Sequence, residues 1–505
     1  MKKIPSTPWV VIRKIVQGVF LLLFIAIIIL NQKNNTVEGL AKIPIQLDPL
    51  LAFSSSLAGK LLIKGFVFSA LLFIFALIFG RFWCGWICPL GTLLDIFRFH
   101  SKKKIYIPES LRIGKYLLLG VILISALFGF QTLVWLDPIS IFQRLLITGI
   151  LPFIDRIFTW LENILYPITF LSSIIDKADQ LLRPVFLPLQ PARFTNIGWI
   201  ITVPIILILL NVITSRFWCR YLCPLGGLYA FLSRFSIFRR QVDPKKCTGC
   251  SRCTQKCPTG TINQTAGYRS DPAECIMCMN CIEACSFSAN EIKPGIPEVI
   301  HFPYDANRRK LFSSFGYALL GVAFLKLISS SNHAPIRPPG TMQDSFLARC
   351  IRCGACYKIC PTNAIQPAPV MDENYGSPEV IPRIGYCDYS CNACGLVCPT
   401  QAIPVLSLEE KRKTIIGKAI INTNRCIAWA QHQDCIVCEE MCPIPQKAIY
   451  LKEETFLSRD GANIRVKLPF VDRELCIGCG ICENKCPVVG EAAIRVDPLG
   501  TNGIS

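Results

Sequence analysis

Between Cys247 and Cys285 the chain reads CTGCSRCTQKCP and then CIMCMNCIEACS, two quartets with the spacing C-x2-C-x2-C-x3-C. Three thiolates packed this tightly on one loop can grip three irons of a cubane cluster, while the fourth, three residues on, reaches the neighbouring cluster. The spacing therefore pairs Cys247, Cys250 and Cys253 with Cys285, and Cys275, Cys278 and Cys281 with Cys257. Zinc is the bland alternative, but zinc sites usually set two C-x2-C pairs well apart. Two 4Fe-4S centres close enough to exchange an electron are the reading that the pattern favours.

Four more quartets follow. Cys350, Cys353, Cys356 and Cys360, and also Cys476, Cys479, Cys482 and Cys486, have the standard spacing. The quartet Cys387, Cys391, Cys394 and Cys398 opens with one extra residue, and Cys426, Cys435, Cys438 and Cys442 has eight residues in its first gap. Both still end in C-x2-C-x3-C-P, so four more clusters are expected. Trp429 and His432, in the wide gap, read as loop or packing residues. The short pieces NAI, QAI, KAI and AAI after these quartets look like strands covering the clusters. All 28 cysteines fall in such quartets or in two C-x3-C-P pairs, a regularity that suits bound metal better than a disulfide framework.

The chain is nevertheless 52% hydrophobic, with a mean hydropathy of +0.43. A membrane part joined to a metal-rich part resolves the two signals. Four apolar runs, about 15–30, 61–80, 117–135 and 197–213, approach the roughly 20 residues needed to cross a bilayer. Lys2, Lys3, Arg13 and Lys14, the basic stretch 81–115 and the equally basic 214–246 place the N-terminus and the first two-cluster domain in the cytoplasm, because loops rich in Lys and Arg stay inside. The outer loop 137–195 balances five basic with five acidic residues. Its amphipathic stretches, interrupted by Asp155, Arg156 and Glu162, suit an interfacial helix. A quinol headgroup pocket there is the alternative. The net charge of +19 reads as membrane topology charge, and nucleic acid is not an expected partner. His100, His301, His333 and His432 all lie outside the apolar runs, so a transmembrane haem pair is not expected.

RFWCGWICPLG from Arg81 and RFWCRYLCPLG from Arg216 are an internal repeat, each directly after an apolar run. Cysteines four apart share one face of a helix, and the proline then discourages its continuation. Cys84, Cys88, Cys219 and Cys223 could make one four-thiolate site or two redox dithiols, or could simply pack where helices converge. Trp83, Trp86, Trp218 and Tyr221 suit an interfacial aromatic belt. Further on, Arg308 and Arg309 precede a moderately apolar run, as in a twin-arginine export signal placed inside the chain. Its order of Leu311 and Phe312 and the interruption by Lys326 depart from the usual signal, and an ordinary fifth anchor is the alternative. Either would put the C-terminal part outside.

These motifs carry a family resemblance. Residues 1 to about 290 resemble the NapH/MauN type of membrane ferredoxin, and residues 305–505 resemble the NapG type, a twin-arginine-exported polyferredoxin. The resemblance implies a fusion of the two, a membrane protein with a four-helix transmembrane unit of duplicated helix pairs plus a fifth helix, bearing α+β ferredoxin-like two-cluster 4Fe-4S domains. Its expected divisions are a membrane domain (1–240), a cytoplasmic two-cluster domain (241–290), a signal or anchor helix (305–330) and a periplasmic four-cluster domain (340–505). The family implies six 4Fe-4S clusters passing electrons from the quinol pool to a soluble periplasmic reductase or cytochrome, for the NapG type a molybdenum nitrate reductase. Ser286 after Cys285, where proline is usual, and the C-x3-C opening of the second outer quartet depart from that pattern. No P-loop, glycine fingerprint or nucleophile with a base is legible. A competing class is a metal-cofactor biogenesis or reactivation factor, for instance one that reduces copper with the C-x3-C-P thiols.

Overall fold

The computed structural model describes residues 8–31, 40–61, 63–97, 108–131, 133–183, 192–195, 197–295, 316, 334–369, 374–457 and 463–498. The export signal read at Arg308 and Arg309 lies outside the described residues, as does the expected fifth helix apart from Gly316.

Four apolar helices stand out among the described residues: α1 (Pro8–Leu30), α2 (Val67–Phe79), α3 (Gly114–Leu127) and α4 (Ile197–Ile213). Only α1 and the stretch Glu109–Leu127, a helical turn leading into α3, are long and apolar enough to cross a bilayer, while α2 and α4 are apolar but shorter. Local backbone chemistry sets these lengths. The chain leaves the preceding helix at Lys60 in a left-handed turn, and α2 stops at Gly80 with φ +63. The third apolar run stops being helical at Leu127, because Gly129 turns the chain with φ +82. Glycine tolerates that region and most side chains do not.

Two shorter helices, Pro49–Gly59 and Pro138–Arg144, enter the same bundle. Each begins with the sequence Leu-Asp-Pro, at Leu47 and at Leu136. Proline at the first helical position costs no hydrogen bond, and the aspartate before it satisfies orphan amides. Asp48 Oδ1 accepts from Leu50 N at 2.7 Å and Leu51 N at 3.2 Å. Asp137 Oδ2 accepts from Ile139 N at 2.9 Å and Ser140 N at 3.0 Å.

The amphipathic loop forms the helix Leu151–Leu165, which exposes Phe153, Ile157, Trp160 and Ile164. Its polar side is tied down by Arg183, which pairs with Glu162 at 2.8 Å.

The two cysteine-rich parts sit at opposite ends of α1. Near its start, Arg13 reaches Asn280 Oδ1 at 3.4 Å in the first two-cluster domain. At its end, the Lys358 ammonium of the C-terminal part hydrogen-bonds the carbonyls of Ile28, Ile29 (2.8 Å) and Asn31 (3.4 Å). Those are the carbonyls a helix cannot satisfy internally, and a cation suits the negative end of its dipole. The helix has 23 residues, which at 1.5 Å each separate its ends by about 34 Å. Further contacts support the second docking: Arg352 donates to Gln131 O at 2.5 Å and Gln366 to Arg193 O at 2.9 Å.

Small antiparallel pairs close the cysteine-rich domains. Phe238–Val242 pairs with Asn290–Pro294 around the first, and Gly417–Ile421 with Ile494–Pro498 around the last. Ile449–Leu457 and Asn463–Val471 form a long hairpin between the third and fourth outer quartets. The NAI, KAI and AAI pieces open strands at Ile365, Ile449 and Ile494. QAI does not, because there the amide of Ile403 donates to Cys398 Sγ at 3.4 Å instead of to a strand.

Candidate metal centres

The four quartets with standard spacing share one backbone device. The residues just before and just after the second cysteine are left-handed in each: Gly249 and Ser251, Met277 and Met279, Arg352 and Gly354, Gly478 and Gly480. Such turns bend the chain round a centre and point successive amides at it, an arrangement that attracts negative charge. In the two widened quartets the corresponding residues Asn392 and Ile436 are not left-handed.

The fourth cysteine of each quartet crosses to its neighbour. Cys247, Cys250, Cys253 and Cys285 line one cavity, and Cys257, Cys275, Cys278 and Cys281 line another, the pairing that the spacing implies. Among the outer quartets, Cys350, Cys353 and Cys356 stand with Cys398, and Cys387, Cys391 and Cys394 with Cys360. Cys426, Cys435 and Cys438 share a cavity with Cys486, and Cys476 and Cys479 face Cys442. The outer part is therefore two interlocked pairs, first with second and third with fourth.

These donor sets fit a multinuclear cation. Burial first, then Cys257 and Cys281 nearby, pushes the Cys278 thiol up to about 12. Cys353 and Cys479, also through burial, rise to about 12. Thiols so placed keep their protons unless a metal replaces them. Among the described residues no three His, Cys, Asp or Glu side chains stand close enough to grip a single ion, whereas a cubane needs its four thiolates farther apart than a zinc ion does. Further hydrogen bonds reach the crossing sulfurs. Thr259 lies 3.5 Å from Cys257 Sγ and Thr400 3.8 Å from Cys398 Sγ, whereas Thr362, 3.5 Å from Cys360 Sγ, spends its proton on Tyr386 O. Ala289 N and Ala493 N donate to Cys285 and Cys486 at 3.3 and 3.4 Å. In the wide gap, Trp429 packs on Phe470 and His432 stacks on Phe456.

Cys84, Cys88, Cys219 and Cys223 are buried together between the two repeats, each close enough to influence the others electrostatically. They do not share one helix face. Cys84 lies in the short helix Phe82–Trp86, whereas Cys88 caps a new helix, Pro89–Ile96; Cys219 and Cys223 repeat this across Phe217–Tyr221 and Pro224–Ser233. The proline starts a helix here as well as ending one.

The repeats interlock through residues that spacing alone did not flag. Arg81 donates to Cys219 O at 3.0 Å, and Arg216 donates to Cys84 O at 2.7 Å, each reaching across to the other copy. Gly91 and Gly226 leave room for these guanidinium groups: a Cβ on Gly226 would lie 3.0 Å from Arg81 Nη2, and one on Gly91 3.5 Å from Arg216 Nη1. Arg81 also pairs with Glu274 at 3.0 Å, and Arg216 with Asp95 at 2.6 Å. The signal was available, since an arginine heads both copies of the motif.

The aromatic belt expected at Trp83, Trp86, Trp218 and Tyr221 is corrected by their burial in protein. Trp86 Nε1 donates to Met277 O at 2.8 Å, so its partner is the first two-cluster domain. Gly85 makes that approach possible, because a Cβ there would fall 2.1 Å from Ile276 O.

Comparison with known proteins points the same way. A family model described as a 4Fe-4S binding domain matches residues 61–108 and 195–243, which hold the two C-x3-C-P motifs. Models of a 4Fe-4S dicluster domain match 239–286 and 349–402, and a further 4Fe-4S binding domain matches 469–489. The methylamine utilization ferredoxin-type protein MauM of Methylorubrum extorquens is 34% identical over 213 residues, 40% of this chain and 94% of that protein. The ferredoxin-type protein NapG of Escherichia coli is 31% identical over 189 residues, 36% of this chain and 80% of that one. The methylamine utilization ferredoxin-type protein MauN of Methylorubrum extorquens is 25% identical over 227 residues, 44% of this chain and 62% of its own length. No solved structure matches.

Proposed function

Since the chain belongs to the ferredoxin-type iron–sulfur proteins of the MauM and NapG kind, we propose that it is a membrane-bound relay that takes electrons from quinol and delivers them to a soluble reductase outside the membrane. The observation that carries this reading is the placement of two cysteine-rich domains at the two ends of α1, with four buried thiols between the repeats. Bound cubane clusters would supply one-electron storage at each quartet. The chain's own part is to hold them. Cys247, Cys250, Cys253 and Cys285 and the set Cys257, Cys275, Cys278 and Cys281 hold two on the inner face. Four more quartets, interlocked as described above, hold those on the outer face. Left-handed loops wrap the four centres of standard spacing, and the threonine hydroxyls at Cys257 and Cys398 hydrogen-bond the ligand sulfur and so tune its potential.

The orientation proposed puts the N-terminus and residues 247–285 in the cytoplasm and residues 340–505 in the periplasm of a bacterial inner membrane. Lys and Arg distribution supports it. The export route of the outer part through Arg308 and Arg309 belongs to the same reading, because a domain loaded with clusters in the cytoplasm would have to cross folded.

Anaerobically purified protein should contain about four irons and four sulfides per quartet. Cys353→Ala or Cys479→Ala should stop quinol-dependent reduction of the outer acceptor. Reporter fusions that place Cys247 and Ser505 in one compartment would refute the relay. The convergence of Cys84, Cys88, Cys219 and Cys223 favours a second reading, metal-cofactor reactivation. That reading wins if replacing Cys84 or Cys219 abolishes function while both outer cysteine variants retain it.

A further inference from the structure

Two acidic side chains of the helical unit take no part in the thiol centres. Asp48 and Asp137 are both 0% exposed. One oxygen of each is used up in capping its helix. The other oxygens, Asp48 Oδ2 and Asp137 Oδ1, are buried and receive no donor. The two carboxyl groups nevertheless lie within hydrogen-bonding reach of one another. Two bare carboxylates so placed would repel with no water to screen them. A proton held between them turns the repulsion into a charge-assisted O–H···O hydrogen bond and supplies the missing donor.

The surroundings suit a proton on the pair. Tyr229 is 1% exposed, its hydroxyl has no partner, and it stands close enough to act on both carboxyls and on Cys84 and Cys88. Arg144, about two turns beyond the Asp137 cap, is the nearby cation, but its guanidinium donates to the carbonyls of Ser140 and Trp135. Ser140 Oγ is buried without a partner on the same helix. Among the described residues the neighbourhood thus offers two hydroxyls and a cation already bonded to carbonyls, which suits a proton better than a fixed ion pair. The two acids also come from matching places in the two halves, each between leucine and proline.

We propose that Asp48 and Asp137 form a single-proton site where the two halves of the helical unit meet, an acid pair on which the buried Tyr229 hydroxyl acts electrostatically. The step moves no electron: an O–H bond forms on one carboxylate as the bond that carried the proton breaks, and the pair goes from one negative charge to none. For the source of that proton the proposal rests on the quinol reading above, since each electron withdrawn from a quinol releases one proton and the singly protonated pair has room for one.

Infrared spectroscopy of the full chain in lipid nanodiscs, in H2O and then D2O, tests it. The wild type should show a protonated-carboxyl C=O band at neutral pH that shifts on deuteration. The band should vanish in Asp48→Asn and in Asp137→Asn, because an asparagine amide then donates to the remaining carboxylate, and its frequency should move in Tyr229→Phe. Absence of the band from the wild type, its survival in the double Asn variant, or indifference to Tyr229→Phe would overturn the proposal. The wild-type measurement needs no variant to fold and no quinol to be present. A correct band in a protein that never oxidises quinol would defeat the relay and leave the acid pair standing.

Discussion

Removing the Glu274 carboxylate should loosen the first two-cluster domain from the helical unit. Its side chain is 4% exposed and lies between Arg81, at 3.0 Å, and Lys115. Glu274→Gln keeps the shape but leaves two cations buried with one neutral acceptor between them. Breaking a buried pair in this way costs roughly 3–5 kcal/mol, which at about 1.4 kcal/mol per decade weakens docking by two to three decades or more. Arg81 keeps its bond to Cys219 O (3.0 Å), which ties the two repeats together, so the loss should be of docking and not of the whole fold. Hydrogen exchange in nanodiscs reads it directly: amides around 273–281 should lose protection by that factor while those of α1 keep theirs. Adding Lys115→Met restores the original net charge at the site and should recover much of the protection. A change below about threefold in the single variant, or a double variant no better than the single, would refute the charge argument, because local opening free energies are additive only when sites are uncoupled.

Three other outcomes are expected. Cys398→Ser should remove the centre assembled on Cys350, Cys353 and Cys356, not the one on its own quartet, and iron content should fall by about one cubane; magnetic resonance with each outer quartet altered in turn would show which signal disappears. Thr259→Val deletes the hydroxyl that lies 3.5 Å from Cys257 Sγ, so redox titration should find that centre's potential lower by something on the order of tens of millivolts, since hydrogen bonds to ligand sulfur stabilise the reduced form. Lys358→Met strips the end of α1 of its cationic donor and should weaken seating of the outer part by roughly 1.5–3 kcal/mol for the charged hydrogen bonds lost, visible as faster exchange at 350–360 with the cluster spectra unchanged.

Much of the metal chemistry was legible because ligand spacing is local. A cubane dictates where three cysteines fall within seven residues, and the crossing of Cys257 and Cys285 follows from the same rule. The outer pairings of Cys360 with the second quartet and Cys442 with the fourth needed the fold, since the widened gaps hide the register. Helix ends were less readable: apolarity continues past Leu127, and what stops α3 is the turn at Gly129. Trp86 looked like a headgroup anchor because an aromatic beside an apolar run cannot announce that another domain covers it. Asp48 and Asp137 belong to none of the motifs read from the sequence. The recurrence of Leu-Asp-Pro in both halves was the available clue, and it makes sense only once both prolines are seen to start helices inside the bundle.

Joining the two parts in one chain has a consequence for how firmly they need to hold each other. The outer part meets the helical unit through Lys358 at the end of α1, through Arg352 on Gln131 O and Gln366 on Arg193 O, and through ring contacts of Trp135 with Tyr375 and Phe194 with Tyr357. Between separate molecules contacts of this kind would have to meet the full entropic cost of association. Within one polypeptide the local concentration of each surface around the other is fixed by the tether, and contacts too weak to recruit a free protein suffice to keep it in place. Severing the chain between Gly295 and Ala334 should therefore convert a permanent neighbour into one that dissociates on dilution.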